Sequence, residues 1–378
     1  RPTYIIEGTL TSFLKWTTKS GWLCASCAAA SRDAATWPGD GKLFLQGKLP
    51  WSSRSVARIE VEPKGRDGVD YEAFVEEKIA EIRRAVGRGR AINALSGGVD
   101  SAVVTVLGHR ALGERLRTVF IDSALMREGE PESVRDVFAG MGIPVEVIDA
   151  RADFLGALAG LTDPEEKRHA VTSTFYRKVF GDLVRQSGAT YLLHGTILTD
   201  IEETVAGIKR QHNILAQLGI DPMAEYGYHV LEPLAELRKD GVRQAARVLG
   251  LPPELAERIP FPGPALATRI VGEVTEARLQ LVRAATAIVE EELAPTKAFQ
   301  YFAVLLEDKA TGIRGGRREF GQIIVVRCID SVDAREASAV EVPWETLQRI
   351  CARVTSLDGV NRCLYDLTPK PPATVEYV

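Results

Sequence analysis

The stretch Ala94–Ser101, which reads ALSGGVDS, decides how the rest of the chain is interpreted, because it joins a short apolar run to a helix-like segment. The residues AINAL at 91–95 predict a buried strand, and Ser101–Leu112 predicts a helix. A glycine-rich turn between a parallel strand and a helix presents free backbone N–H groups and the positive end of the helix dipole at one point. The stretch therefore predicts a phosphate-binding loop.

Each residue type in this turn suits that chemistry. Gly97 and Gly98 let the backbone approach an oxyanion closely, where a Cβ would obstruct it. Ser96 and Ser101 add hydroxyl donors, and Asp100 beside bound phosphates indicates a Mg²⁺ ligand or a loop anchor. The turn lacks the lysine of a Walker loop and does not match G-x-G-x-x-G. A simple strand–helix turn with a capping aspartate remains the alternative.

Beyond the loop, the hydrophobic pattern alternates between strands and helices. Predicted strands cover 91–95, 116–122, 144–149 and 190–195, and predicted helices cover 71–87, 101–112, 130–141 and 164–186. Continuous apolar strands between amphipathic helices are typical of a parallel sheet covered on both faces. The predicted fold class is therefore α/β.

A Pro/Gly-rich joint, IPFPGPALATR at 259–269, breaks this alternation. Beyond it, the pattern predicts a helix at 274–293, short strand-like runs, another helix and a last strand pair, CLYDL at 363–367 and ATVEYV at 373–378, which indicates an α+β terminal domain. The first 70 residues show no sustained period and match no pattern. We therefore predict three regions: an N-terminal extension of unknown role at 1–70, an α/β domain at 71–265 and an α+β domain at 266–378.

Composition narrows the class of protein. The 378-residue chain has a net charge of −4 and 45% hydrophobic residues, which is typical of a globular protein without a bias toward nucleic acid. No run approaches the length of a membrane span, and charged residues interrupt the apolar stretches near the start. Five cysteines, an odd number, argue against a disulfide framework. We expect a cytoplasmic protein with no membrane partner.

The string LSGGVDS after a predicted first strand resembles the pyrophosphate-binding loop of the PP-loop ATP pyrophosphatase superfamily. Downstream, over about 72–378, the chain resembles one family, GMP synthetase, in its ATP pyrophosphatase and dimerisation domains. The matching stretches are LTDPEEKR at 161–168, GTILTDIEE at 195–203, IKRQHN at 208–213, LEPLAELRKDGVR at 231–243, FPGPALATRIVGE at 261–273 and YDLTPKPPATVEY at 365–377.

This resemblance implies an adenine nucleotide alpha hydrolase-like fold, ATP and Mg²⁺ as cofactors, and a homodimer formed through 266–378. It implies that ATP adenylylates the C2 oxygen of XMP and that ammonia then displaces AMP to give GMP. No glutaminase module is recognisable, so ammonia would come from a separate glutaminase subunit or from solution. A different purine-like carbonyl acceptor remains open because the chain departs from the family pattern, for example at Ser123-Ala124 and at Leu198-Thr199.

The resemblance also implies roles for individual residues. Those implied to be catalytic are Asp100, Lys209, Lys239 and His212, with Asp100 also the metal ligand. Those implied to bind ATP are Ser96, Gly97, Gly98, Val99, Asp100, Ser101, Asp122, Gly195 and Thr196. Those implied to bind the acceptor are Asn213, Arg269, Arg318, Lys370, Thr374 and Glu376.

Two other classes of function stay open at this point. Cys24 and Cys27 form a C-x-x-C pair, and a PP-loop enzyme that transfers sulfur would need such thiols. A lone pair of this kind is a weak signal for zinc, because no second pair accompanies it. A non-catalytic paralogue is the other class, and the intact loop argues against it.

Overall fold

The computed structural model describes residues 69–205, 221–256, 258–259, 261–331 and 336–378, together with the backbone of four short strands nearer the start. The chain divides into two compact units, Arg1–Phe74 and Val75–Val378. The first unit contains an antiparallel sheet in the order β3-β2-β1-β4. Its strands are β1 (Thr3–Glu7), β2 (Leu14–Thr18), β3 (Gly21–Ala25) and β4 (Ile59–Glu60). The sequence pattern did not predict these strands.

The second unit begins its core with a five-stranded parallel sheet in the order β7-β6-β5-β8-β9. The strands are β5 (Ala91–Leu95), β6 (Leu116–Asp122), β7 (Glu146–Asp149), β8 (Tyr191–Leu193) and β9 (His229–Leu231). Ile92, Val119 and Phe120 are fully buried, as the continuous apolar runs predict. The predicted α/β class is confirmed, and β9 is a strand that the sequence did not predict.

Helices flank this sheet. They are α1 (Tyr71–Val86), α2 (Val99–Leu112), α3 (Glu130–Gly140), α4 (Arg151–Leu158), α5 (Pro164–Ser173), α6 (Gly181–Ser187), α7 (Leu198–Val205), α8 (Pro222–Tyr226), α9 (Lys239–Val248) and α10 (Pro253–Ala256). The predicted single helix at 164–186 is interrupted by a π-helix, Thr174–Phe180. Among the helices that the structure describes, none has both the length and the apolar character needed to cross a bilayer.

The C-terminal part is built on a second sheet. The long antiparallel strands β10 (Gln300–Arg314) and β11 (Arg317–Asp330) form a hairpin, with β12 (Ser338–Ala339) antiparallel and β13 (Val360–Asp366) parallel to β11. Two helices, α11 (Glu276–Leu293) and α12 (Trp344–Thr355), accompany it. Of the predicted last strand pair, CLYDL at 363–367 lies almost entirely in β13, whereas ATVEYV at 373–378 is wrong as a strand: after β13 the tail, which the structure describes throughout, forms no strand and makes one isolated bridge, Lys370 to Ala337.

The joint between the two sheets is buried and cross-linked. Its 3-10 helix, Ala265–Arg269, lies in the hydrophobic core, which continues from Ile92 in β5 to Val360 in β13. Just beyond it, the buried ammonium of Lys167 donates to the carbonyl oxygens of Ile270 and Gly272, at 2.6 and 3.1 Å. The joint is therefore an integral part of the core, and the division at residue 265 stays a prediction.

Candidate active site at the carboxyl edge of the parallel sheet

The order of the parallel sheet fixes where a ligand is expected. From β5 the chain proceeds to β6 and β7 on one side and then crosses to β8 and β9 on the other. In open parallel sheets, ligands bind in the crevice beyond the carboxyl ends of the two strands where the order reverses. A pocket of about 190 Å³ lies there, and its lining includes Asn93, Ser96, Asp100, Ser101, His194 and Gly195.

The loop after β5 is organised by bonds among its own residues. Ser101 Oγ accepts from the Ser96 N–H at 3.1 Å and donates to the Gly98 carbonyl at 2.9 Å, and the two serine hydroxyls lie 3.0 Å apart. Gly98 is the N-cap of α2 and supplies no side-chain cap to the helix. Because the first N–H groups of a helix lack intrahelical partners, the start of α2 is suited to hold an anion.

Two glycines bring backbone segments into close contact at this loop. Gly97 has φ +75°, a conformation that L side chains rarely adopt, and a Cβ there would lie 2.7 Å from Glu130 Oε1. A Cβ on Gly195 would lie 3.3 Å from the backbone nitrogen of Ser101. The loop after β8 therefore packs directly against the loop after β5, which places predicted ATP-binding residues of both loops side by side.

Asp100 and Lys239 form an ion pair across this edge. Lys239, the first residue of α9, places Nζ 2.6 Å from Asp100 Oδ2, although the two residues are 139 positions apart. Oδ1 of Asp100 is buried and has no hydrogen-bond partner among the described residues. An unpaired carboxylate oxygen beside a phosphate-binding loop fits a Mg²⁺ ligand, since Mg²⁺ takes one or two carboxylates and completes its shell with water and phosphate oxygens. In the described part of the chain, no group of three or more acidic, His or Cys residues could supply a complete metal site.

A hydrogen-bonded chain of side chains supports the loop after β8. His194 Nδ1 lies 2.8 Å from Thr196 Oγ1, which donates to Glu232 Oε1 at 2.6 Å. Burial lowers the pKa of His194, and Glu232 opposes that shift. On the other side of the ring, the Tyr176 hydroxyl lies 3.4 Å from Nε2, and burial raises the pKa of that tyrosine to about 12. Thr196 was predicted to bind ATP, whereas His194, Glu232 and Tyr176 were not predicted.

Asp122 occupies the carboxyl end of β6 as predicted, but its carboxylate also stabilises a turn. Oδ1 accepts from the Ala124 N–H at 2.9 Å, and Oδ2 lies 3.7 Å from Arg151 Nε. Ala124 has φ +65°, and its carbonyl accepts from Arg283 on α11. The side chain therefore has a structural partner at the position where ATP binding was predicted.

Arg269 and Glu376, both predicted to bind the acceptor, pair with each other. Arg269 is fully buried, and its Nε and Nη2 lie 3.2 and 3.3 Å from the carboxylate of Glu376. Gln300 Nε2 donates to the same carboxylate at 2.6 Å. The guanidinium stacks between the rings of Phe261 and Phe302, at 4.7 and 4.3 Å from their centroids. Its Nη1 is buried without a hydrogen-bond partner in the described chain.

The tail that carries Glu376 is held by Arg327, a buried residue of β11 that was not predicted. Its guanidinium pairs with Asp366 and donates to the carbonyl oxygens of Thr368 at 3.0 Å, Thr374 at 2.8 Å and Val375 at 3.1 Å. No local pattern around Arg327 indicates this role, because its partners lie 39 to 48 positions further along. This side chain holds the tail against the sheet, together with the Lys370–Ala337 bridge and the bonds of Arg269 and Gln300 to Glu376.

The other predicted acceptor residues lie in different settings. Lys370 lines a second pocket together with Asp330, Ser331 and Glu336. Arg318 lies near the end of the β10–β11 hairpin, with its guanidinium 6.0 Å from the ring of Phe320. The Thr374 hydroxyl donates to the Glu376 carbonyl. Lys209, His212 and Asn213 lie outside the described residues.

Comparison with known proteins identifies the family. The family model described as GMP synthase C terminal domain matches residues 287–377. In Archaeoglobus fulgidus, the subunit designated B of the glutamine-hydrolyzing GMP synthase is 51% identical over 310 residues, which cover 82% of this chain and 100% of that protein. The proteins of the same name from Methanocella arvoryzae and Pyrococcus furiosus are each 48% identical over 311 residues, covering 82% and 81% of this chain and 99% and 97% of those proteins.

Among solved structures, an NH3-dependent NAD synthetase from Campylobacter jejuni matches with a TM-score of 0.40 and 16% identity, over 51% of this chain and 80% of that chain. A match this distant carries no information about the chemistry of the site. The archaeal relatives are informative about function, because their sequences are 48–51% identical to this chain over nearly their full length. The resemblance found in the sequence is confirmed, and the chain belongs to the family of these archaeal GMP synthase subunits.

Proposed function

We propose that this chain is the synthetase subunit of a GMP synthase and converts XMP to GMP with ATP and ammonia. Its membership in the family of archaeal GMP synthase subunits carries this proposal and confirms the ATP-dependent ligase activity predicted from the sequence. The geometry at the carboxyl edge of the parallel sheet supports it independently, since a glycine-rich loop, a helix start and an Asp100–Lys239 pair meet there.

The reaction has two steps, adenylylation of XMP and displacement of AMP by ammonia. The C2 oxygen of XMP attacks the α-phosphorus of ATP, the bond between the α-phosphorus and the bridging oxygen breaks, and pyrophosphate leaves. Ammonia then attacks C2, the C2–O bond breaks with AMP as the leaving group, and the new amino group loses a proton. The protein must hold the phosphates in line and stabilise the charge that moves onto pyrophosphate.

The residues of the loop are suited to hold the leaving pyrophosphate. Ser96, Asp100 and Ser101 line the pocket at the start of α2, and Lys239 brings a cation to the same edge. Fixed donors at the position where negative charge develops are the largest contribution to catalysis in many enzymes. We therefore assign pyrophosphate stabilisation to this loop and to Lys239.

We assign the Mg²⁺ that accompanies ATP to Asp100. Its buried Oδ1, unpaired among the described residues, suits a hard cation, and Lys239 balances the charge on Oδ2. The ion would neutralise part of the phosphate charge. Lys239 itself would orient the carboxylate toward the pocket.

The nitrogen source is proposed from the names of the relatives. Each is named as one lettered subunit of a glutamine-hydrolyzing enzyme, which implies a second subunit for those proteins. We infer that this chain likewise receives ammonia from a separate glutaminase or takes it from solution. The homodimer through 266–378 and the cytoplasmic location remain predictions.

The experiment that tests the function uses the full chain with Mg-ATP, XMP and ¹⁵N-ammonium. We expect pyrophosphate release together with GMP that carries the heavy nitrogen, measured by mass spectrometry. With glutamine in place of ammonium, the chain alone should give no GMP. Absence of GMP from protein that is shown to bind Mg-ATP would contradict the proposal and point to a different acceptor.

A further inference from the structure

The loop after β5 contacts a pair of charged side chains that belongs to neither its own strand nor its own helix. Glu130 is the first residue of α3, and Arg258 lies two residues beyond the end of α10, shortly before the FPGP segment. Arg258 Nη2 lies 2.7 Å from Glu130 Oε1, and the two side chains are 20% and 3% exposed. The pair is thus largely removed from water, where an ion pair persists only with good geometry and further hydrogen bonds.

Those further hydrogen bonds are present. Arg258 Nη1 donates to the carbonyl oxygen of Gly97 at 2.9 Å, and Glu130 Oε2 accepts from the backbone N–H of Arg127 at 3.0 Å. A Cβ on Gly97 would lie 2.8 Å from Arg258 Nη1 and 2.7 Å from Glu130 Oε1. The pair therefore packs directly on the glycine with the left-handed backbone.

The bond to the Gly97 carbonyl fixes the direction of the next N–H. The Gly97–Gly98 peptide is trans, so its carbonyl and its N–H point in opposite directions. With the carbonyl held by Arg258, the Gly98 N–H is directed toward the hydroxyl of Ser96, 3.4 Å away, which lines the pocket. A rotated peptide would present the carbonyl oxygen to the phosphate instead, and two groups of like partial charge would then repel.

We infer that Arg258 and Glu130 are positioning residues for the pyrophosphate loop: Arg258 locks the Gly97–Gly98 peptide with its N–H toward the Ser96 hydroxyl that lines the pocket, and Glu130 holds the guanidinium in place. A planar guanidinium can bond a carbonyl and a carboxylate at the same time, whereas a lysine ammonium has no such fork. Neither residue lines the pocket, so both would act through the loop rather than on the ligand. This inference rests on the proposed function only in that the loop binds pyrophosphate.

The same cluster extends to the C-terminal part. Arg127, whose N–H is held by Glu130, places its guanidinium 4.1 Å from the centroid of Phe261 in the FPGP segment. Its Nε also bonds the carboxylate of Glu290 on α11, at 2.8 and 3.0 Å. The loop that binds ATP is thus connected by side-chain contacts to the segment that leads to the predicted acceptor residues.

The test measures equilibrium binding to the full chain by calorimetry, with Mg-ATP and with inorganic pyrophosphate as separate probes. We expect Arg258→Met to weaken both by about 10- to 100-fold, the range for losing a charge-assisted hydrogen bond. Arg258→Lys should recover only part of the loss, and Glu130→Gln should weaken binding less than Arg258→Met does. The double variant should bind no more weakly than Arg258→Met alone, because the two residues act as one unit.

A matched control is Arg117→Met. Arg117 also forms a side-chain pair, with Glu146, but it lies near the amino end of β6, at the opposite edge of the sheet. The Arg117→Met variant should bind Mg-ATP and pyrophosphate with the affinity of the wild type. In ammonium-dependent turnover, Arg258→Met should raise KM for Mg-ATP while KM for XMP stays within about twofold, a split that general destabilisation would not produce.

Three outcomes overturn the inference. The first is folded Arg258→Met that binds pyrophosphate within twofold of wild type, and the second is an equal loss in Arg117→Met. The third is full recovery of binding in Arg258→Lys, which also decides the matter if Arg258→Met does not fold. Wild-type protein that binds Mg-ATP but forms no GMP would contradict the proposed function alone, and the pyrophosphate measurement would still decide the inference.

Discussion

The loop predicted to bind ATP and the C-terminal tail are both short, polar and largely without regular structure, yet they obtain their shape in different ways. The loop is closed by Ser96 and Ser101, five positions apart. The tail is held by Arg327, whose partners lie 39 to 48 positions away. Bonds between near neighbours close the loop, with one further bond from the distant Arg258, whereas the tail depends on distant side chains, chiefly that of Arg327.

This difference extends to the charges. Among the described residues, Asp100 Oδ1 and the start of α2 have no side-chain partners, so the loop itself presents groups for a ligand. In the tail, the carboxylate of Glu376 is already paired with the Arg269 guanidinium and accepts a hydrogen bond from Gln300. The ATP side is preorganised, whereas the acceptor side presents groups that have partners within the chain. Four predictions test this contrast.

The largest effect is expected for Arg327→Met. It removes the guanidinium that holds the tail and leaves Asp366 without its buried partner, so the free energy of unfolding should fall by about 3–5 kcal/mol. Urea denaturation measures this loss of stability. In turnover assays, the KM for XMP should be higher in the variant than in the wild type. Arg362→Met, on the exposed face of the adjacent strand β13, is the control and should change stability by less than about 0.5 kcal/mol. A small effect of Arg327→Met would show that the tail is held by other contacts.

Next in size is Lys239→Met on the loop side. Removal of the cation beside Asp100 should lower kcat/KM for Mg-ATP by about 100-fold or more, because charge on the leaving pyrophosphate loses its partner. Stability should change little, since the ion pair is partly exposed. Lys309→Met, an exposed lysine on β10, should be neutral. A defect confined to KM for XMP would contradict the assignment of Lys239 to the ATP side.

The third prediction concerns Lys167, which bonds the joint between the two sheets. Burial lowers the pKa of this lysine to about 8. Between pH 8 and its ordinary value of 10.5, the unfolded chain therefore binds more protons than the folded chain, and stability from this residue rises with pH. The unfolding free energy of wild type relative to Lys167→Met should increase across that window, by up to roughly 3 kcal/mol. A flat difference would mean that the carbonyls of Ile270 and Gly272 keep the ammonium charged.

The smallest effect is expected for Ala124→Gly, at the sheet edge that carries the loop. Ala124 has φ +65°, where an alanine is strained and a glycine is not. The substitution should stabilise the protein by about 1 kcal/mol in thermal or urea unfolding. Ala80→Gly, on the exposed face of α1, should instead destabilise it by a similar amount. Destabilisation by both variants would show that the turn carries no strain.

The fold was predictable where one segment carries its own signal. The bounds of β5 and β6 agree with the apolar runs at 91–95 and 116–122. β9 was missed because it has three residues, begins with His229 and obtains its place only from pairing with β8. The final strand was wrongly predicted because β-branched residues in the tail suggest pairing, whereas the backbone there bonds to Arg327.

The site, like the fold, could be predicted only where a local sequence signal exists. A motif predicted the loop, and the resemblance predicted roles for Lys239, Arg269 and Glu376. Neither could show that the last two pair with each other, since they are 107 positions apart. Glu130 and Arg258 carried no signal either, because an isolated charged residue in a sequence is ordinarily a solvated one.

The cross-linked joint limits how the enzyme can move. Lys167 bonds the carbonyls of Ile270 and Gly272, Arg278 bonds that of Val271 at 2.7 Å, and the Val271 N–H donates to Leu305 at 2.9 Å. Hinges require backbone that is free to change its dihedral angles. This segment is therefore a poor hinge, and it keeps the sheet edge and the tail at a constant spacing during turnover. Any closure over the adenylated intermediate must come from other segments, and the amides of 270–272 should be among the slowest in the chain to exchange with deuterium.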